Sequence, residues 1–175
     1  MAKAASQSVP DASHRVVVLH GKESFLLGHH THQLAQSLEE AHGGLDRFSF
    51  DGNSVALADL LDELRTFGLM SPHKLVILDS ADVFLARDES FRRALERYVS
   101  EPVESATFLM RAETWRAGKI DKLIAKCGTV IKLAAPTEAV ATQWCIKRCA
   151  SAHEAKLQND AAALLVMRVG TDLAR

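Results

Sequence analysis

Short, wholly apolar runs separated by stretches of helical periodicity constrain this chain more than any other feature. Arg15 to Leu19 reads Arg-Val-Val-Val-Leu, Lys74 to Leu78 reads Lys-Leu-Val-Ile-Leu, and Thr107-Phe108-Leu109-Met110 is similar, while Thr129 to Leu133, broken by Lys132, reads as one more short strand. Each is too short for a helix, and a run without polar interruption needs cover on both faces, the condition of a strand inside a parallel sheet. Asp46 to Phe50 alternates and predicts a further strand.

The stretches between them repeat with helical spacing. Ser24 to Ala41 carries Leu27, Leu34, Leu38 and Ala41 on one face and stops at Gly43-Gly44. Leu57, Leu60, Leu61 and Leu64 fall at i, i+3, i+4 and i+7, predicting a helix to Phe67, with Asn53 and Ser54 as N-caps. Ser90 to Val99 has Phe91, Leu95 and Tyr98 inward and ends at Glu101-Pro102, and Lys119 to Cys127 is a short helix. Alternating β and α with apolar strands predicts a parallel sheet with helices on both faces. Strands cease after Ala135-Pro136-Thr137. Thr137 to Ala150, around Trp144, and Asp160 to Val169, capped by Asn159, predict a second, smaller, all-helical unit.

Bulk properties exclude several classes. A 175-residue chain with 47% hydrophobic content can bury a core as one medium or two small domains. Lys and Arg total 21 against 22 Asp and Glu, a net charge of -1, so the basic excess of an autonomous nucleic-acid binder is missing. No apolar run reaches the roughly 18 residues of a membrane span, and Met1 to Ser13 lacks the apolar centre of a signal peptide. Residues 1 to 14 therefore read as a flexible tail. Three cysteines, Cys127, Cys145 and Cys149, an odd number without an export signal, predict a reduced, cytoplasmic setting.

One junction fits neither pattern. Gly68 suits the left-handed position that ends a helix, and Pro72 blocks continuation, which leaves Leu69 and Met70 between a helix stop and the next strand. Two large hydrophobes there either tuck under the turn or face a partner, and position alone favours tucking under.

The catalytic inventory is thin. A P-loop would lie between residues 16 and 41, but starting at Gly21 the second Gly position holds Leu26, the Lys position Leu27 and the Ser/Thr position Gly28. Asp79 ends the third strand where nucleotidases of this topology keep a metal-holding acid, yet Ser80 follows it rather than a catalytic carboxylate. His29, His30 and His32 read as an exposed polar face rather than a metal site. Cys145, Cys149 and His153 step by four without a fourth ligand, so core thiols are expected. Asp11, Ser13 and His14 are triad residue types without a nucleophile turn. Arg87-Asp88-Glu89 and Arg92-Arg93 read as a solvated helix start open to a partner.

Taken in order, Val-Leu-His-Gly-Lys-Glu-Ser-Phe-Leu-Leu (18 to 27), Phe-Ser-Phe-Asp-Gly (48 to 52), Phe-Gly-Leu-Met-Ser-Pro-His-Lys-Leu-Val-Ile-Leu-Asp-Ser-Ala-Asp (67 to 82) and Val-Gly-Thr-Asp-Leu-Ala-Arg (169 to 175) resemble the bacterial DNA polymerase III delta subunit. The likeness runs from about Val16 to the end. It implies an AAA+-like base domain without a functional P-loop over residues 15 to 135, and a helical lid from 136 to 175. On that resemblance the lid is expected to be cut short and the collar domain that follows in the family to be absent.

The resemblance also implies a role. In the family this clamp loader subunit grips the sliding clamp, the DNA polymerase III beta subunit, and opens its ring for loading on DNA during replication. A Leu-Phe pair does the gripping and aligns with Leu69 and Met70. The pair is then exposed, with Met in place of Phe, an apolar and more adaptable residue that lacks ring stacking. Phe67, Ser71 and the Arg87 to Arg93 charges are expected to widen the contact. No catalytic residue, cofactor or metal is implied: the chain would be a non-catalytic subunit of the holoenzyme, itself a nucleotidyltransferase. Other loader subunits would join through the collar, and DNA would be met only in the full complex. Two other readings remain open at this level: a divergent P-loop nucleotidase, and a doubly wound small-molecule enzyme with its ligand at the strand carboxyl ends.

Overall fold

The central strands lie where the apolar runs placed them. The computed structural model describes residues 9–68, 70–134 and 136–171. Among these, β1 (Val16–His20), β2 (Leu45–Asp51), β3 (His73–Asp79), β4 (Ala106–Ala112) and β5 (Gly128–Lys132) form one sheet in the order β2-β3-β4-β1-β5. Every pairing is parallel. β1, β3 and β4, inside the sheet, are buried almost throughout, whereas β2, at one edge, alternates between half-buried and exposed positions. The difference in sequence pattern thus reflects edge against centre.

The helices are α1 (Ser24–His42), α2 (Leu57–Arg65), α3 (Ala81–Arg87), α4 (Glu89–Ser100), α5 (Lys119–Cys127), α6 (Glu138–His153) and α7 (Asn159–Val169). One sheet face, carrying Val16, Val18, Val76, Leu78, Phe108 and Met110, packs with Leu60 and Leu64 of α2, Phe84 of α3, Leu95 and Tyr98 of α4, and Ile120 and Ile124 of α5. The chain divides into two compact units, residues 1–21 with 27–133, and residues 22–26 with 134–175. In the second, α6 is capped by Thr137, whose hydroxyl accepts from the Val140 N–H, and buries Ala141 and Thr142, while α7 buries Ala162 and Val166. Of the expected tail, residues 1–8 lie outside the described residues; Pro10 is buried, and the Ala12 N–H donates to Ser37 Oγ at 3.1 Å.

Several local expectations are corrected. α2 ends at Arg65, not Phe67, because Thr66 turns extended while its N–H and hydroxyl both return to the Asp62 carbonyl. Gly68 is not left-handed, so its glycine answers to a close approach described below. Asn53 and Ser54 do not cap α2: Asp51 takes the Asn53 backbone and side-chain N–H groups at 3.0 and 2.7 Å, and the cap position is Ala56. Asn159 is the first residue of α7 rather than its cap, which is Gln158. α3 has no counterpart in the sequence reading, since its 7 residues are too few to show a period.

A buried imidazole makes stability depend on pH. His73 opens β3, stacks flat on His42 with ring centroids 4.0 Å apart, and lies 2.9 Å from Thr107 Oγ1. Burial first, then His42 and Arg15 beside it, pushes its pKa down to about 4. The unfolded chain, with histidine near 6.5, binds a proton that the folded chain refuses, so this contribution is complete above pH 6.5 and is lost as pH falls towards 4. Between pH 7.5 and 5 the loss should be about 1 to 2 kcal/mol. A denaturant midpoint that falls over this range, with a flatter profile for His73→Gln, is the expected result.

Candidate functional site

The junction between α2 and β3 holds the predicted site residues. Phe67 is 74% exposed and Met70 92% exposed, so position-based tucking under is overturned for Met70. Leu69 lies outside the described residues. Ser71 is half-buried and its polar groups turn inward: its N–H and hydroxyl donate to the two carboxylate oxygens of Asp46, at 3.2 and 2.8 Å. Ser71 is therefore a support for the turn rather than a free polar contact.

The turn is braced from below. A Cβ on Gly68 would lie 2.6 Å from the Ser71 carbonyl oxygen, so only glycine lets the two ends of the turn approach this closely. Beneath, Lys74 is 1% exposed, and its ammonium donates to the Glu63 carboxylate at 2.7 Å and to the Glu63 carbonyl. A buried cation at a helix end is tolerated because both partners face it. Phe48, Thr66, Phe67, Gly68, Met70 and Lys74 line part of a groove of about 490 Å³. Apolar anchors beside internally paired charges suit binding rather than bond-making.

Several of the Arg87 to Arg93 charges make contacts within the chain. Arg87 donates to the Gly52 and Val55 carbonyls at 3.2 and 2.7 Å, Asp88 caps α4 by accepting the Ser90 N–H at 2.7 Å, and Arg93 pairs with Glu89 at 2.8 Å. His30 is buried, unlike the exposed face expected of the histidine cluster. Cys145 and Cys149 are half-buried rather than core thiols. Among the described residues no cluster of His, Cys, Asp or Glu could hold a metal, and no helix is long and apolar enough to cross a membrane. In the Asp11 turn the Ser13 hydroxyl donates to Asp11 Oδ1 at 2.5 Å, not to His14, which is not a nucleophile-base arrangement.

The turn after β1 is tied to the strands on both sides of it. The Gly21 N–H donates to the Ala112 carbonyl at 3.0 Å, and the Leu133 N–H to the His20 carbonyl at 2.7 Å, closing the turn after β1 from both sides. Asp79 accepts two hydrogen bonds from Arg111 of β4, at 2.5 and 2.6 Å. A bidentate guanidinium satisfies the carboxylate that a nucleotidase would reserve for its metal. Sequence reasoning missed Asp46, Lys74 and Arg111. Lys74 opening an apolar strand was the one local signal.

The sequence model of the family described as DNA polymerase III, delta subunit, matches residues 18–134. The chain belongs to this family. The Bacillus subtilis DNA clamp loader delta protein is similar in structure, with a TM-score of 0.72 at 22% identity, covering 92% of this chain and 50% of that one. This delta-family chain thus spans about half the length of that solved relative. The match agrees with the fold class read from the sequence, an AAA+-like parallel sheet flanked by helices with a helical C-terminal part. A DNA polymerase III gamma subunit-related protein of Thermotoga maritima matches with a TM-score of 0.48 at 11% identity, covering 81% of this chain and 48% of that one. A Thermotoga maritima RuvB mutant matches with a TM-score of 0.49 at 18% identity, covering 92% and 50%. No curated protein matches the chain.

Proposed function

We propose that this chain is the clamp-gripping part of a clamp loader delta subunit, which binds the sliding clamp of DNA polymerase III through the turn carrying Phe67, Leu69 and Met70 and opens its ring. The observation that carries the reading is the exposure of Phe67 and Met70 on one braced turn, in a chain of this family. Side chains of this size are seldom left to solvent together without a partner surface. Residues 15 to 135 act as the base and 136 to 175 as lid. Contact with other loader subunits falls to the family's collar domain, and DNA is met within the full assembly, in the cytoplasm.

Opening is work done by binding. A surface that holds the closed and opened clamp equally shifts nothing, and moving a ring from about 1% to 99% open requires about 10⁴-fold preference for the open form. The base contributes rigidity instead of nucleotide chemistry: the Arg111–Asp79 pair ties the ends of β4 and β3 together.

The test compares binding of this chain to the intact clamp ring and to a monomeric clamp whose interface has been broken by mutation. Tighter binding to the monomer, by tenfold or more, is expected. Equal affinities would leave gripping and remove opening, and binding to neither would remove both.

A further inference from the structure

We infer that Asp46 is a positioning residue for clamp binding: its carboxylate clasps the backbone of the turn that displays Phe67 and Met70, without itself meeting the partner. The inference rests on the clamp-binding reading above. Asp46 stands on β2, an edge strand, 25 residues from Ser71 in sequence. Its two oxygens are divided between the Ser71 N–H and the Ser71 hydroxyl, so the carboxylate receives the start of the β3 approach in a two-point grip. On the other limb, a Cβ at Gly68 would lie 3.3 Å from Asp46 Oδ2 and 3.5 Å from Lys74 Cγ. The carboxylate therefore sits against both limbs of the turn. Gly44, two residues earlier, runs close beneath Pro72, where an added Cβ would come within 3.3 Å of the ring.

The physical consequence is preorganisation. A turn ordered before encounter loses little conformational freedom on binding, whereas a loose one must be ordered at the expense of affinity. Charge-assisted bonds to a carboxylate are the stronger kind, and an amide in its place loses the charge and keeps one acceptor oxygen, so that the Ser71 hydroxyl must turn to accept from the amide N–H. Asp46 is also the register partner of Lys74. The clasp and the buried cation thus hang the turn on the β2–β3 pair, and the anchors themselves need no internal contacts.

The experiment measures clamp affinity and Ser71 amide hydrogen exchange for the parent chain, Asp46→Asn, Ser71→Ala, the Asp46→Asn/Ser71→Ala double variant, and Leu69→Ala/Met70→Ala. Asp46→Asn should weaken clamp binding about tenfold and speed Ser71 exchange, with strand amides as protected as in the parent. Ser71→Ala, which keeps the backbone bond and leaves β2 untouched, should show a smaller loss and stands in should Asp46→Asn not fold. The two losses should overlap rather than add, because they break one clasp. Leu69→Ala/Met70→Ala should lose binding with Ser71 exchange unchanged, which separates display from contact. A parent that binds, beside Asp46→Asn and Ser71→Ala that bind equally well, overturns the positioning role alone. A parent that fails to bind overturns the clamp reading and the positioning role with it.

Discussion

Replacing Leu69 and Met70 by alanine is expected to weaken clamp binding by two to four orders of magnitude while leaving the fold intact. Burying one Leu and one Met side chain contributes about 1.5 to 3 kcal/mol each, together roughly 3 to 6 kcal/mol, which converts to about 10² to 10⁴ in affinity. Met70 is 92% exposed, so its truncation removes nothing from the core and should change stability by no more than about 0.5 kcal/mol. The pair is not sufficient by itself, because nanomolar affinity requires about 12 kcal/mol. Phe67 and the groove walls at Phe48 are placed to supply part of the remainder. Titration of clamp with parent and variant, with circular dichroism on both, reads the effect. A folded variant that binds as the parent does would move the anchor to Phe67 and the groove.

Gly21→Ala carries the largest expected loss of stability, above about 4 kcal/mol, in the range reached only by severe overpacking or backbone conflict. Two independent conflicts meet there. Gly21 has φ of 138°, a conformation that L side chains rarely adopt, and a Cβ would lie 1.9 Å from the Leu133 carbonyl oxygen. The added methyl cannot rotate away, since its neighbour is backbone bound to His20. Relief would require parting the turn after β1 from the exit of β5, and with it the β1–β5 pairing. A denaturant midpoint well below that of the parent, or failure to accumulate folded protein, is the expected reading; a midpoint within about 1 kcal/mol of the parent would show that the turn moves freely.

Both effects come from backbone that was legible only in part. The stops at Gly43-Gly44 and Pro72 and the strands at 16 to 19, 74 to 78 and 107 to 110 were readable because each is written within a few consecutive residues. α3 was not, because Ala81–Arg87 is shorter than the window that reveals a period. The end of α2 was misplaced because Gly68 offered a familiar stop, whereas Thr66 had already closed the helix on Asp62. Arg87 looked like a charge free for a partner, but its guanidinium reaches carbonyls more than 30 residues earlier in the chain.

What the sequence determined by itself is the class of fold and the family. Hydrophobic period and turn residues act over one or two turns of chain, so alternating strands and helices, and the order of motifs from Val18 to Ala134, can be read without coordinates. What only the tertiary structure decided is how the polar residues are spent. Asp46 meets Ser71 across 25 residues, and Asp79 meets Arg111 across 32, because β2 lies beside β3 and β3 beside β4 in fixed register. The physical reason is that a buried or half-buried charge takes whatever partner strand order brings within hydrogen-bond reach, and strand order is a property of the whole sheet rather than of any segment. A turn with two exposed hydrophobes could be suspected from its letters, but the clasp that holds it out to solvent could not.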